Sequence, residues 1–185
     1  MAKVLYERDG RIARITLNRP EVMNAIDDEL PCALADAVAR ADSDAGAHVI
    51  VLAGAGRAFC AGYDLTAYAS GDKANRYTQQ MPWDPMQDYA AMSDNTNKFM
   101  SLFRSKRPVI CKVQGFAVAG GSDIALCSDM IVMAEDARIG YRLCGSGAAR
   151  RRRCGSTGSV PKRPSACCSP ATRSPASRQP RSASC

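Results

Sequence analysis

The sequence predicts an α/β domain, on three observations. Short apolar runs suited to buried strands recur at residues 12–17, 48–53 and 109–113. Stretches with helical apolar spacing lie between them. Glycine-rich loops follow the second and third runs, at residues 54–62 and 115–121. A chain of 185 residues is long enough to bury one core and predicts one domain.

Residues 4–7 and 12–17 read as a hairpin around Asp9-Gly10, a strong turn pair. The second strand sets Ala13, Ile15 and Leu17 against Ile12, Arg14 and Thr16, the mixed polarity of a strand near a sheet edge. Pro20 ends it, because proline has no N–H for the ladder. Asp27 or Asp28 caps a helix running to about Ala41, with Pro31 tolerated in its first turn and Leu30, Leu34, Ala37, Val38 and Ala41 as its core stripe. Residues 48–53 (HVIVLA) form the continuous apolar run of a strand buried on both faces. The loop that follows, GAGRAFCAGYDL at 54–65, leads into a helix start at Asp64. Backbone N–H groups there can face a ligand, although an ordinary strand-to-helix connection has the same composition. Residues 67–85 are polar and broken by Gly71-Asp72, Pro82 and Pro85. A helix over 86–105 then offers Met86, Tyr89, Ala90, Met100, Leu102 and Phe103 for burial.

The most informative stretch is VQGFAVAGGSDIALCSDMIVMAE, residues 113–135. The strand at 109–113 turns at Gly115, Gly120-Gly121 open a short helix to Cys127, and residues 130–134 read as the next buried strand. Glycines at a helix start have no Cβ to block close approach, so the first backbone N–H groups can point at a ligand oxygen, aided by the positive end of the helix dipole. Such a place suits developing negative charge. Asp123 follows Gly120 by three positions and can face the same pocket, or can simply satisfy the dipole.

The formal charge of +7 is unevenly placed: residues 1–141 hold 15 Lys+Arg and all 18 Asp+Glu, residues 142–185 the other 10 basic residues. Cysteine splits likewise, with Cys32, Cys60, Cys111 and Cys127 in the body and five in the tail. No pair has C-x-x-C spacing and the single histidine, His48, is far upstream of the tail, so no metal site is expected. The N-terminus lacks the layout of a signal peptide, and no apolar run approaches the ~20 residues that span a membrane. These features lead to the expectation of a reducing, cytoplasmic setting with no membrane partner.

Asn18-Arg19-Pro20 with Asn24-Ala25, GRAFCAGYDL at 56–65 and KVQGFAVAGGSDIALCSDM at 112–130, in this order and spacing, resemble the crotonase (enoyl-CoA hydratase/isomerase) superfamily. The resemblance covers residues 3–141. It implies a spiral of repeated ββα turns, an acyl-CoA thioester as substrate with no separate cofactor, and an oxyanion hole of two backbone N–H groups. By position, those donors are Tyr63 and Gly120, and Asp123 stands where hydratases of the family carry a catalytic glutamate. The same carry-over makes Met23, Ala25, Ala61, Asp64, Leu65 and Gly121 substrate-binding, and Met81, Trp83 and Met86 candidates for acyl contact. A second family glutamate falls at Leu143, which cannot transfer a proton. Hydration of a 2-enoyl-CoA is the expected reaction, with isomerisation and thioester hydrolysis as neighbouring chemistries. The resemblance also implies a homotrimer or hexamer.

Residues 142–185 contain no acidic or aromatic residue, and nine Ser, nine Arg, five Pro and five Cys, a composition expected to remain disordered. RRRR at 150–153 and PKR at 161–163 would suit a phosphate-binding arm for nucleic acid or another polyanion, but no aromatic interleaves for stacking, so nucleic acid is not the expected partner. Arg, Ala, Gly, Pro, Ser and Cys are also what a GC-rich gene yields out of frame, and the family-like pattern stops beside Tyr141. The reading favoured is therefore a truncated core, residues 1–141, followed by a frameshifted tail that leaves the chain without part of the family's architecture and defective in turnover. Independent sequencing across codons 135–150 tests it: another frame is expected to continue with apolar helices and acidic residues, whereas stop codons in both other frames would make the tail genuine.

Overall fold

A computed structural model describes residues 2–69, 79 and 81–141. Five strands form the main sheet in the order β1 (Val4–Asp9), β2 (Ile12–Leu17), β3 (Val49–Gly54), β4 (Val109–Val113) and β6 (Met130–Met133). Only the β1–β2 pair is antiparallel. A second, two-stranded parallel sheet joins β5 (Phe116–Val118) to β7 (Arg138–Gly140). The helices are α1 (Leu30–Ser43), α2 (Leu65–Ala69), α3 (Pro85–Phe103) and α4 (Gly120–Leu126). Strand, strand, helix is thus the recurring order, seen in β1-β2-α1 and again in β4-β5-α4.

The core is built where period-2 strands meet the stripe of α1. Ala13, Ile15, Leu17, Ile50, Leu52, Val109 and Cys111 are fully buried, and so are Leu30, Leu34 and Ala41 from the predicted stripe. Burying one such large aliphatic side chain contributes about 1.5–3 kcal/mol. The α1 start is held by Asp27, whose Oδ1 accepts from the Glu29 and Leu30 backbone N–H groups at 3.2 and 3.0 Å. Pro31 sits in the first turn, where its missing N–H costs nothing.

Several expectations need correction. Asp9 pairs with Ile12, so the hairpin turn is Gly10-Arg11, one residue later than expected, with Gly10 at φ +58°. β3 is fully buried along one face only, its other face being half-buried. β6 is not a buried strand: it borders the sheet and leaves Met130 and Val132 39% and 50% exposed. α3 buries Asn95, Phe99 and Leu102, while Met86, Tyr89 and Ala90 face outward. The apolar residues near its start follow no stripe that reaches the core. Readings that concern residues 142–185, Leu143 among them, lie outside the described residues. Among the described residues no helix is long and apolar enough to cross a membrane.

Asp27 also links the chain start to the loop after β2. Its Oδ2 lies 2.6 Å from Lys3 Nζ and 3.4 Å from an Arg19 guanidinium nitrogen. Burial alone would raise its pKa, but the Lys3 hydrogen bond, the Leu30 backbone N–H and the Arg19 charge outweigh burial and hold it below the ordinary aspartate value. A carboxyl depressed in the folded state stabilises above its unfolded pKa, about 3.9, and that contribution is lost as pH falls through the lower folded value. Asp27→Asn is therefore expected to cost about 1 kcal/mol at neutral pH and to lessen the fall in unfolding free energy between about pH 5 and pH 2. Denaturant titrations of both proteins across that range check it.

Candidate active site

The three motif blocks converge at one end of the sheet, where the loop after β3 meets the start of α4. Cys60 forms an isolated parallel bridge with Ala117 of β5. Its N–H donates to Phe116 O at 2.9 Å, and its carbonyl accepts from Val118 N at 3.1 Å. The two loops are in contact because they lack side chains. A Cβ on Gly62, which sits at φ +91°, would stand 2.9 Å from Val118 O, and one on Gly121 would stand 2.6 Å from Cys60 O. A Cβ on Gly120 would fall 2.8 Å from Ile26 Cδ1 and 2.9 Å from Tyr63 Cε2. The sequence-predicted pair Tyr63 and Gly120 are thus packed against each other.

Backbone direction follows from the neighbours. Ile26 bridges to Tyr63 in parallel fashion, its N–H donating to Gly62 O at 2.8 Å and its carbonyl accepting from Asp64 N at 2.9 Å. In that arrangement the N–H of Tyr63 itself points away from Ile26. At the other loop, Gly120 opens α4, so its N–H has no intrahelical acceptor, and none among the described residues engages it. Ala119 precedes it at φ +49°, a left-handed conformation costly for alanine, held by its N–H to Gly140 O at 3.1 Å and by its carbonyl accepting from Ser122 and Asp123 N–H.

Asp123 lies in the first turn of α4, half-buried, and its Oδ2 accepts a hydrogen bond from the Tyr141 phenol. Burial, then that hydrogen bond and the Asp123 charge, push the Tyr141 phenol well above its ordinary value, and the neighbouring Tyr63 adds to the shift. The hydroxyl ends of Tyr63 and Tyr141 therefore share one electrostatic environment with Asp123. Tyr141 did not emerge from sequence reasoning as a site residue, since a lone tyrosine after a strand carries no motif.

The other predicted residues take different places. Asp64 is 7% exposed and caps α2: Oδ1 accepts from Thr66 N and Oγ1, and Oδ2 is 3.1 Å from Arg19. Arg19 also donates to Ala25 O at 2.5 Å within the loop after β2, and Met23 O accepts from Ala61 N at 3.0 Å, so Met23 and Ala61 join that loop to the loop after β3 through backbone groups. Leu65 is 73% exposed. Trp83, its indole N–H donating to Asp88, and Met81 and Met86 lie exposed at the start of α3. Behind the site stands Asn24, fully buried at φ +56°, accepting from Arg19 N at 2.8 Å and donating to Ala55 O and Ala58 O at 2.9 Å each. This clamp, which gives the Asn18-Arg19-Pro20 and Asn24-Ala25 motif its physical role, was not foreseen as a network. Burial raises the thiols of Cys60 and Cys111 to about 11 and about 12, so both pack as small apolar groups. Among the described residues no group of three His, Cys, Asp or Glu could hold a metal ion.

A family model described as enoyl-CoA hydratase/isomerase matches residues 7–150. The chain belongs to the enoyl-CoA hydratase/isomerase family. Its fold is accordingly the crotonase fold: the crystal structure of an enoyl-CoA hydratase from Mycobacterium smegmatis is similar at TM-score 0.67 and 43% identity, over 75% of this chain and 49% of that one. An enoyl-CoA hydratase/isomerase from Xanthobacter autotrophicus is similar at TM-score 0.66 and 34% identity, over 75% and 48%. An enoyl-CoA hydratase of Mycobacterium tuberculosis is 34% identical over 136 residues, 74% of this chain and 48% of the relative. The chain thus spans about half the length of these family members.

The contacts at Gly120 make a direct test of the packing. Gly120→Ala is expected to displace the Tyr63 ring or the Ile26 side chain and to destabilise the fold by about 1–3 kcal/mol, read as a lowered thermal midpoint. An unchanged midpoint would show that the Tyr63 ring and the Ile26 side chain do not pack tightly on Gly120.

Proposed function

We propose that the site binds a 2-enoyl-CoA thioester and adds water across its double bond. The observation that carries this reading is the packing of Tyr63 on the opening residue of α4, with Asp123 one turn further on. The backbone N–H groups of Tyr63 and Gly120 form the pair that receives the thioester oxygen.

The chemistry follows from where charge develops. Water attacks C3 of the enoyl group while the Asp123 carboxylate takes one of its protons. The C2=C3 electron pair moves into C1–C2, and the thioester oxygen becomes an enolate oxygen held by the two N–H groups. As the carbonyl re-forms, C2 takes the proton from Asp123, which returns to its ionised state. Preplaced donors of this kind contribute about 10²–10³ each in rate, and a positioned acid–base about 10²–10⁴. A single carboxylate that accepts and returns the proton is sufficient for this sequence, and the same group moving a proton between C2 and C4 would isomerise a 3-enoyl thioester.

Asp64 is not part of this step, because Arg19 and Thr66 engage both of its oxygens. In this reading Met23, Ala25, Ala61 and Gly121 serve by shaping the backbone on which the thioester lies, and Leu65 meets the ligand's outer part, a role its exposure permits.

The test is hydration of a short 2-enoyl-CoA by the 185-residue chain and by its Asp123→Ala variant, followed through loss of the conjugated thioester absorbance. Turnover reduced about 10²–10⁴-fold in the variant, with binding of a saturated acyl-CoA retained, is the expected result. Equal turnover by both proteins would remove Asp123 from the reaction. Acyl-CoA binding without turnover by the parent chain would instead agree with the defective product that its composition suggests.

A further inference from the structure

We propose that Tyr141 is a positioning residue for Asp123, donating its phenol O–H to Oδ2 so that Oδ1 is the oxygen presented to the reacting atoms. The inference deepens the function proposed above and rests on it for the identity of the reaction, while the geometry stands by itself.

Three features place the phenol there. β7 pairs with β5 in parallel register, Val118 opposite Gly140, which sets the end of β7 beside the start of α4. Gly140 sits at φ +150°, a conformation that side chains rarely adopt, and its carbonyl holds the Ala119 N–H. The next residue, Tyr141, is thereby turned back over the first turn of α4, where its hydroxyl meets Asp123. Although Tyr141 is 62% exposed, its polar tip is the part engaged. Among the described residues no donor reaches Oδ1 of Asp123, so the two carboxylate oxygens are chemically distinct: one is occupied by a neutral O–H, the other is available to a water or a substrate carbon.

A hydrogen bond donated to an ionised carboxylate favours the protonated phenol and so raises it. The other titratable neighbours are Tyr63, across the loop contact, and Cys127, at the end of α4, whose thiol burial and the Asp123 charge raise to about 11. Tyr141 is the residue whose hydroxyl donates to Oδ2 of Asp123, so its removal should change that carboxylate.

The experiment compares the full chain with Tyr141→Phe and Asp123→Asn by NMR, using carbon-13 in the aspartate carboxyl and tyrosine ring-ζ positions. In Tyr141→Phe the side-chain carboxyl resonance of Asp123 is expected to shift at neutral pH, because the carboxylate loses its hydroxyl donor. In Asp123→Asn the Tyr141 signal, assigned by its absence from Tyr141→Phe, is expected to titrate closer to an ordinary phenol. In turnover, Tyr141→Phe should lower kcat about tenfold at unchanged KM. An Asp123 carboxyl resonance unmoved in Tyr141→Phe, or a Tyr141 titration that does not move in Asp123→Asn, overturns the proposal. Absence of turnover by the parent chain would count against the hydratase reading alone, because the two NMR comparisons decide the role of Tyr141 without it.

Discussion

The constraint on which the site depends is the approach of two backbones without side chains between them. Gly62, Gly120 and Gly121 each occupy a position where a Cβ would stand under 3.0 Å from an atom of the opposing loop or its packing partners. Interiors are close-packed, so a methyl group would have to be absorbed by moving main chain at Gly62 and Gly121, and by moving the Tyr63 ring or the Ile26 side chain at Gly120. Contact brings Tyr63 onto the α4 start, and the α4 start carries Asp123 with it. The opening of α4 and the Asp123 carboxylate are therefore oriented by a single steric fact.

A second layer holds that contact in place. Asn24 and Arg19 are polar residues in a buried setting, and each is satisfied many times over: Asn24 by three hydrogen bonds to separate parts of the chain, Arg19 by Asp64, Asp27 and the Ala25 carbonyl. A half-satisfied network of this kind would destabilise the fold, whereas a complete one specifies a unique loop geometry. The left-handed conformations of Met23 and Asn24 are affordable in that context, being fixed by bonds on both sides. The loop after β2 thus acts as a bracket between the hairpin and the Cys60–Tyr63 loop.

Legibility in the sequence differed by the kind of force involved. The α1 stripe and the β2 alternation are legible because burial imposes a period on the residues, and Gly120 to Asp123 because a glycine pair followed by an acidic first turn marks a helix start. The extent of α3 is legible but its faces are not: Asn95 is buried and Met86 and Tyr89 are not, the buried positions of this helix all lying in its second half. β6 looked buried from its apolar run, and is instead the last strand of its sheet among the described residues. β5 is three residues long, too short for any period to show. Contacts between groups far apart in sequence, such as Tyr141 with Asp123 or Asn24 with Ala58, leave no local pattern at all.

The long reach of these contacts bears on how the site comes into being. Cys60 is linked to Ala117, Ile26 to Tyr63 and Ala119 to Gly140, so segments from four places along the chain must be gathered before either donor loop has its shape. Loop closure of that kind is entropically costly. The site has no local precursor, since no single segment forms it alone. Any ligand that bound only the assembled site would stabilise the entire domain, increasingly as its concentration rose above its dissociation constant.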